Sequence, residues 1–298
     1  MVVELLNGKE ESAMLLDQLI EASAQTVGMY VLENLKNEDL LPLFHSTGEA
    51  EIFGIVKPGD NLLIKAIKLV NEDKYEEAFS TVQSILNDSS QVKNLSTNDW
   101  QFIGHICLTI GKFDLAKSAY QNANHREGLA FTLIMMKDLN GAKSTLNQTD
   151  SSPASLWCEF LAELFSGSKP LKKWPSFLEI RQFMEFTVHC LLISNNNEFI
   201  QLLLANIKKL LDINQDAEKL IGYAYFHFGI PEQAIKLLKN SLKKYQFDGE
   251  VYYKLGQIYY LQNDFYEALS MLNNAQLLLP DHYATQVLLE KVKSRLPN

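Results

Sequence analysis

Apolar residues recur along most of the chain at three- and four-residue spacing, and "YYKLGQIYYLQNDFYEALSMLNNAQLLLP" at 252–280 shows the pattern most fully. Tyr252, Leu255, Gly256 and Tyr259 stand at i, i+3, i+4 and i+7, so they form one stripe of a helix. Gly256 in that stripe lets a neighbouring backbone come close. Asn263-Asp264 then offers a turn and a helix start, after which Ala268, Leu272 and Ala275 form the inward stripe of a second helix. Pro280 ends it. A hairpin of this kind buries only part of its apolar surface, so it has to stack on further copies of itself.

The copies are visible upstream. One reads Glu218, Ile221-Gly222, Tyr225, Ala234 and Leu238, with Gly229-Ile230-Pro231 as the turn. Another reads Trp100, Ile103-Gly104, Cys107, Ala116, Tyr120 and Ala123. Two weaker copies are Arg126, Leu129-Ala130, Leu133, Ala142, Leu146 and Leu62, Ala66, Leu69, Ala78, Val82. The step from Ala78 to Ala116 is 38 residues and that from Ala116 to Ala142 is 26, which predicts an irregular array with one first helix shortened by about two turns. Residues 181–214 fit a divergent copy, with Met184 and Val188 on one helix and Ile200 and Leu204 on the next.

On these residues the chain resembles the tetratricopeptide repeat (TPR) family, whose period is about 34 residues. The resemblance covers roughly residues 59 to 296. It implies an all-α fold, a right-handed superhelix of helical hairpins (an α-α solenoid), with an atypical N-terminal helical segment. Four regions follow: an acidic N-terminal helical cap or arm at 1–58, degenerate repeats at 59–150, a helix and irregular connecting loop at 151–180, and repeats with a C-terminal capping helix at 181–298. The loop is marked by "SGSKPLKKWPSF", the capping helix by "HYATQVLLEKVKSR".

Charge changes the picture at one end. Residues 1–58 hold three Lys against ten Asp or Glu, whereas 201–298 hold eleven Lys or Arg against ten acids. The acidity of the N-terminal segment disfavours nucleic acid as a partner, because such binding depends on neutralising phosphates. The same segment, "EESAMLLDQLIEASAQTVGMYVLENLKN", is one long amphipathic helix by its apolar spacing, and it either caps the first repeat or forms a homodimerisation arm. Fourteen Gly, eight Pro and no apolar run near the length of a membrane span argue for a helical protein without membrane insertion. The acidic start without a long apolar core argues against a signal peptide, and three cysteines without framework spacing argue for a reducing compartment, hence the cytoplasm.

No compact catalytic motif is present. His105 and Cys107, His189 and Cys190, and Cys158 have no CxxC, HxxxH or HExxH spacing, so neither metal nor cofactor is expected, and neither is an enzyme. Cys107 occupies a packing position. His105 falls on the ninth position of its repeat, which the resemblance turns toward the groove.

The resemblance implies that the first helix of each hairpin lines a concave face taking an extended peptide or helix of another protein. The implied groove residues are Lys219, Tyr223 and Phe226, then Tyr253, Gln257 and Tyr260. Tyr223 stands where carboxylate-clamp co-chaperones of the family use Asn, so a carboxylate clamp is not expected. The function expected is a protein-binding scaffold or adaptor; the alternatives are a cytoplasmic chaperone for a secreted substrate, like the TPR chaperones of type III secretion, and a helical enzyme without a recognisable motif.

Overall fold

The computed structural model describes residues 62–71, 74–147, 151–167, 171 and 173–296. The acidic segment 1–58 lies outside the described residues. The described chain is all helix and turn, with no strand, and it forms two compact units, one ending at Gly229 and the other beginning at Ile230.

In the first unit, α1 (Leu62–Asn71) pairs with α2 (Tyr75–Asn87), and a short α3 (Ser89–Lys93) leads to α4 (Thr97–Thr109). Next come α5 (Phe113–Asn122), α6 (Arg126–Met135) and α7 (Leu139–Leu146), each packed on the one before. α8 (Pro153–Phe165) packs on α6 and α7. Beyond it lie α9 (Phe177–Ile193), α10 (Asn197–Ala205), α11 (Ile207–Ile213) and α12 (Ala217–His227), with α12 laid along α9. The second unit contains α13 (Pro231–Lys244), α14 (Gly249–Leu261), α15 (Phe265–Leu278) and α16 (Tyr283–Lys293), and its most extensive contact is between α14 and α15.

One backbone device closes hairpin after hairpin. Gly111, Asn124, Lys137, Asn195 and Asn263 each adopt φ between 51° and 75° just past a helix end. The next N–H then reaches back five residues: Lys112 to the Cys107 carbonyl at 2.7 Å, His125 to Tyr120 at 2.9 Å, Asp138 to Leu133 at 2.8 Å, Asn196 to Leu191 and Asp264 to Tyr259 at 2.9 Å. This is the Schellman closure, which satisfies carbonyls that a helix end leaves without partners. Its accepting residues Cys107, Leu133 and Tyr259 are the last members of the first-helix stripes read from the sequence. Packing register and turn chemistry therefore meet at the same positions.

The inward stripes are buried as their spacing requires. Ala66, Ala78, Ile103, Ala116, Ala142, Ile221, Ala234, Leu238, Leu255, Ala268, Leu272 and Ala275 have no exposed surface. Helix contacts are tight at Gly104, Gly128 and Gly256. A β-carbon on Gly104 would lie 2.8 Å from the Tyr120 ring and one on Gly128 would lie 2.5 Å from the same edge, so a single phenol of α5 is held by glycines of α4 and α6. Around Gly256 the nearest atoms belong to Leu272, four residues beyond Ala268.

Two sequence expectations need correction. The short 26-residue step does not come from one helix losing two turns: α5 and α6 have 10 residues each, where α13 and α14 have 14 and 13. The loss is shared because the closure at Asn124 ends α5 early and the His125 imidazole caps α6 at once, accepting from the Gly128 N–H at 3.0 Å. In 181–214, Met184, Val188 and Ile200 are buried, but Leu203 rather than Leu204 is the fully buried member of the second helix. That helix breaks at Asn206, whose side-chain amide bonds the Leu202 carbonyl at 2.8 Å, and α11 restarts after it.

Candidate functional site

On α14, Tyr253, Gln257 and Tyr260 are all half-buried and follow the expected stripe. The Gln257 amide donates to the Tyr253 Oη at 3.0 Å, as i and i+4 neighbours can. The Gln257 Oε1 is buried and has no hydrogen-bond partner among the described residues. Tyr253 also meets His282, at the start of α16, edge to face at 4.7 Å between centroids. Burial raises the Tyr253 phenol above its ordinary pKa and lowers the His282 imidazole, Glu250 opposing the latter shift. Tyr260 stands 5.9 Å from the Phe265 ring. The structure thus joins Tyr253, Gln257 and His282 into one polar-aromatic cluster, of which His282 was not foreseen.

The unit around α14 also exposes large apolar side chains. Tyr245, Phe247, Leu261, Tyr266, Leu277 and Tyr283 are exposed by 37 to 85%.

On α12, Lys219 is only 5% exposed and lies close to its own helix: its Nζ is 3.7 Å from the Asp216 Oδ1 and 6.0 Å from the Tyr223 ring centroid. Asp216 in turn receives the Arg181 guanidinium at 2.6 Å. Phe226 packs edge-on against His227 at 5.2 Å.

A further site lies inside the first unit, where α4, α6, α8 and α9 converge on a pocket of about 90 Å³. Its lining is aromatic and acceptor-rich. His105, Phe186 and Phe131 form a continuous stack with centroids 5.2 and 5.7 Å apart, and Trp157 donates its indole N–H to the Thr187 Oγ1 at 2.9 Å. Glu127 brings a carboxylate whose Oε1 accepts from the Ser152 hydroxyl at 3.2 Å. Gln182 also lines it, and its Oε1 is buried without a partner among the described residues. Among the described residues no Lys or Arg lines the pocket. The groove-facing position of His105 was the single sequence signal for it; Glu127, Gln182 and Phe186 sit on helices whose repeat pattern is too degenerate to assign a face.

The three thiols are structural. Cys107, Cys158 and Cys190 are free and buried, and burial pushes the Cys107 thiol up to about 12 and the other two higher still. Among the described residues no cluster of three or more His, Cys, Asp or Glu is placed to hold a metal ion, and no helix is long and apolar enough to cross a membrane.

Stacked two-helix units with their packing residues turned inward define a helical repeat protein. Residues 249–282 match the tetratricopeptide repeat family model, running from the first residue of α14 to the residue that precedes α16. The match to that family model is confined to this one repeat-length segment. A chain of the crystal structure of the APC/C hetero-tetramer Cut9-Hcn1 aligns with 97% of this chain at 16% identity and a TM-score of 0.38. The alignment covers 57% of that chain, so this chain spans little more than half its length. No curated protein matches significantly.

Proposed function

We propose that the protein is a non-catalytic interaction scaffold whose α14 face takes an extended peptide or a helix from a partner protein. The observation that carries this reading is the tetratricopeptide-like repeat at 249–282, whose first helix sets Tyr253, Gln257 and Tyr260 side by side in a unit that also exposes Phe247, Leu261, Tyr266 and Tyr283. Tyrosines suit such a surface because they give large contact area with few rotors to immobilise, and apolar side chains left in water favour association. The orphaned Gln257 oxygen would accept a backbone N–H from a bound strand after a small rotation, relieving an unsatisfied acceptor that costs ~1–3 kcal/mol. Lys219, Tyr223 and Phe226 on α12 are a second candidate surface, where Lys219, beside Asp216 and near the Tyr223 ring, would orient the tyrosine.

The test is a selection of random displayed peptides on the purified chain, followed by fluorescence anisotropy with each enriched peptide. The double substitution Tyr253→Ala, Tyr260→Ala should weaken these peptides about tenfold, or ~1.4 kcal/mol. Unchanged affinity in a folded double variant would move the site off α14, and a selection that enriches nothing would overturn the scaffold reading.

A further inference from the structure

We infer that the pocket between α4, α6, α8 and α9 is a receptor for one cationic side-chain head, an arginine guanidinium presented by a protein partner. It goes beyond the α14 surface and uses none of its residues.

Size comes first. The accessible space of about 90 Å³ is well below the ~300–1,000 Å³ of small-molecule sites. The pocket therefore fits the end of a side chain rather than a cofactor or metabolite. Chemistry then selects among side chains. An apolar head would leave the Gln182 Oε1 without a donor, and a buried acceptor left unpaired is costly. An anionic head would face the Glu127 carboxylate with no Lys or Arg among the described lining residues to offset it.

A cation with several N–H donors meets both acceptors. Guanidinium is planar, weakly hydrated for a cation, and packs well against aromatic rings, which here include Phe131, Phe183, Phe186 and Trp157. A compact ammonium is more strongly hydrated and gains less from such walls. His125, also in the lining, does not compete as a cation: its Nδ1 accepts from the Gly128 N–H at 3.0 Å, and burial lowers its pKa, with Glu127 opposing. Residues 59–229, which hold the pocket, carry 16 Lys or Arg against 19 Asp or Glu, a mildly acidic balance that suits a basic partner segment.

The test uses three probes on the full chain: N-acetyl-arginine amide, its uncharged isostere N-acetyl-citrulline amide, and N-acetyl-lysine amide, titrated by saturation-transfer NMR and by the fluorescence of Trp157 in a Trp100→Phe, Trp174→Phe background. The arginine probe should bind about tenfold more tightly than citrulline and better than lysine. Glu127→Gln keeps the acceptor for Ser152 but removes the charge, and should cut arginine binding about tenfold while leaving citrulline unchanged. Gln182→Leu removes the orphaned acceptor; it should raise the melting temperature of the free chain and weaken the arginine probe, a pair of effects that a purely packing role does not produce. Tyr253→Ala with Tyr260→Ala should leave all three probes unaffected, which separates failure of this pocket from failure of the α14 site. Equal binding of arginine and citrulline would overturn the cation assignment, and so would absence of arginine binding or full retention of it in Glu127→Gln.

Discussion

A β-carbon on Gly256 would stand 2.6 Å from the Cγ of Leu272, a side chain with no exposed surface. Two effects then oppose each other in Gly256→Ala. Alanine favours the helix by ~1 kcal/mol, while overpacking a filled contact costs ~1–3 kcal/mol. Because Leu272 is enclosed and the clash involves its branch point rather than a flexible tip, overpacking wins, with a net loss of about 1 kcal/mol in urea unfolding. In the double variant with Leu272→Ala the loss should be smaller than the sum of the singles. A stabilised Gly256→Ala would mean that α14 and α15 sit further apart than described.

Lys137 offers the reverse case. It closes the α6 turn with φ of 66°, a conformation that glycine adopts freely and lysine does not. Lys137 also pairs with Glu198, but both partners are about half exposed, where such pairs are worth ~0–1 kcal/mol. Lys137→Gly should therefore stabilise the chain slightly, by about 0.5 kcal/mol, as the left-handed strain of ~1 kcal/mol or more outweighs the lost pair. A lower midpoint in thermal melting would assign the greater weight to the ion pair.

The turns and stripes around these two residues show what the linear sequence can carry. Leu255, Gly256, Tyr259, Ala268 and Leu272 were all assignable because a helix-period pattern and its turn are local, and the burial followed the spacing. The shared shortening of α5 and α6 was not, because it depends on where Asn124 turns the chain and on a histidine acting as a helix cap, a residue type without a strong capping preference. The pocket was less legible still. Glu127 and Gln182 are 55 positions apart and lie on helices whose repeat register is worn away, so only His105 pointed toward it.

The His125 cap makes stability depend on pH. Its folded-state pKa is lowered by burial, while the unfolded chain protonates near the ordinary histidine value of about 6.5. Below that value the unfolded state binds more protons, so His125 contributes a loss of stability as pH falls from about 6.5 toward its folded pKa. Protonation would also remove the Nδ1 lone pair that accepts the Gly128 N–H. His125→Asn keeps a side-chain acceptor at the cap without the titration. Its unfolding free energy should fall less steeply between pH 7 and pH 5, on the order of two units of titration around histidine's range; an identical slope would place the pH sensitivity elsewhere.

Within the α14 cluster the two tyrosines should separate in stability. Tyr253→Phe removes the acceptor of the Gln257 amide at 3.0 Å and should cost about 1 kcal/mol, whereas Tyr260→Phe should cost little, about 0.5 kcal/mol or less. Thermal melting of the two variants side by side is the measurement. Equal melting temperatures would mean that the amide finds a replacement acceptor at no cost.

The burial of all three thiols has a practical reach. Only a thiolate attacks an alkylating reagent at a useful rate, and these groups are both shielded and held protonated at neutral pH. A cysteine introduced at exposed Phe247 or Tyr266 thus becomes a single addressable handle for a fluorophore, with no need to delete the native three. Under denaturant the native thiols turn into a second instrument: the rate at which each is tagged clocks the opening of its own helix pair, Cys107 with α4 and α5, Cys158 and Cys190 with α8 and α9.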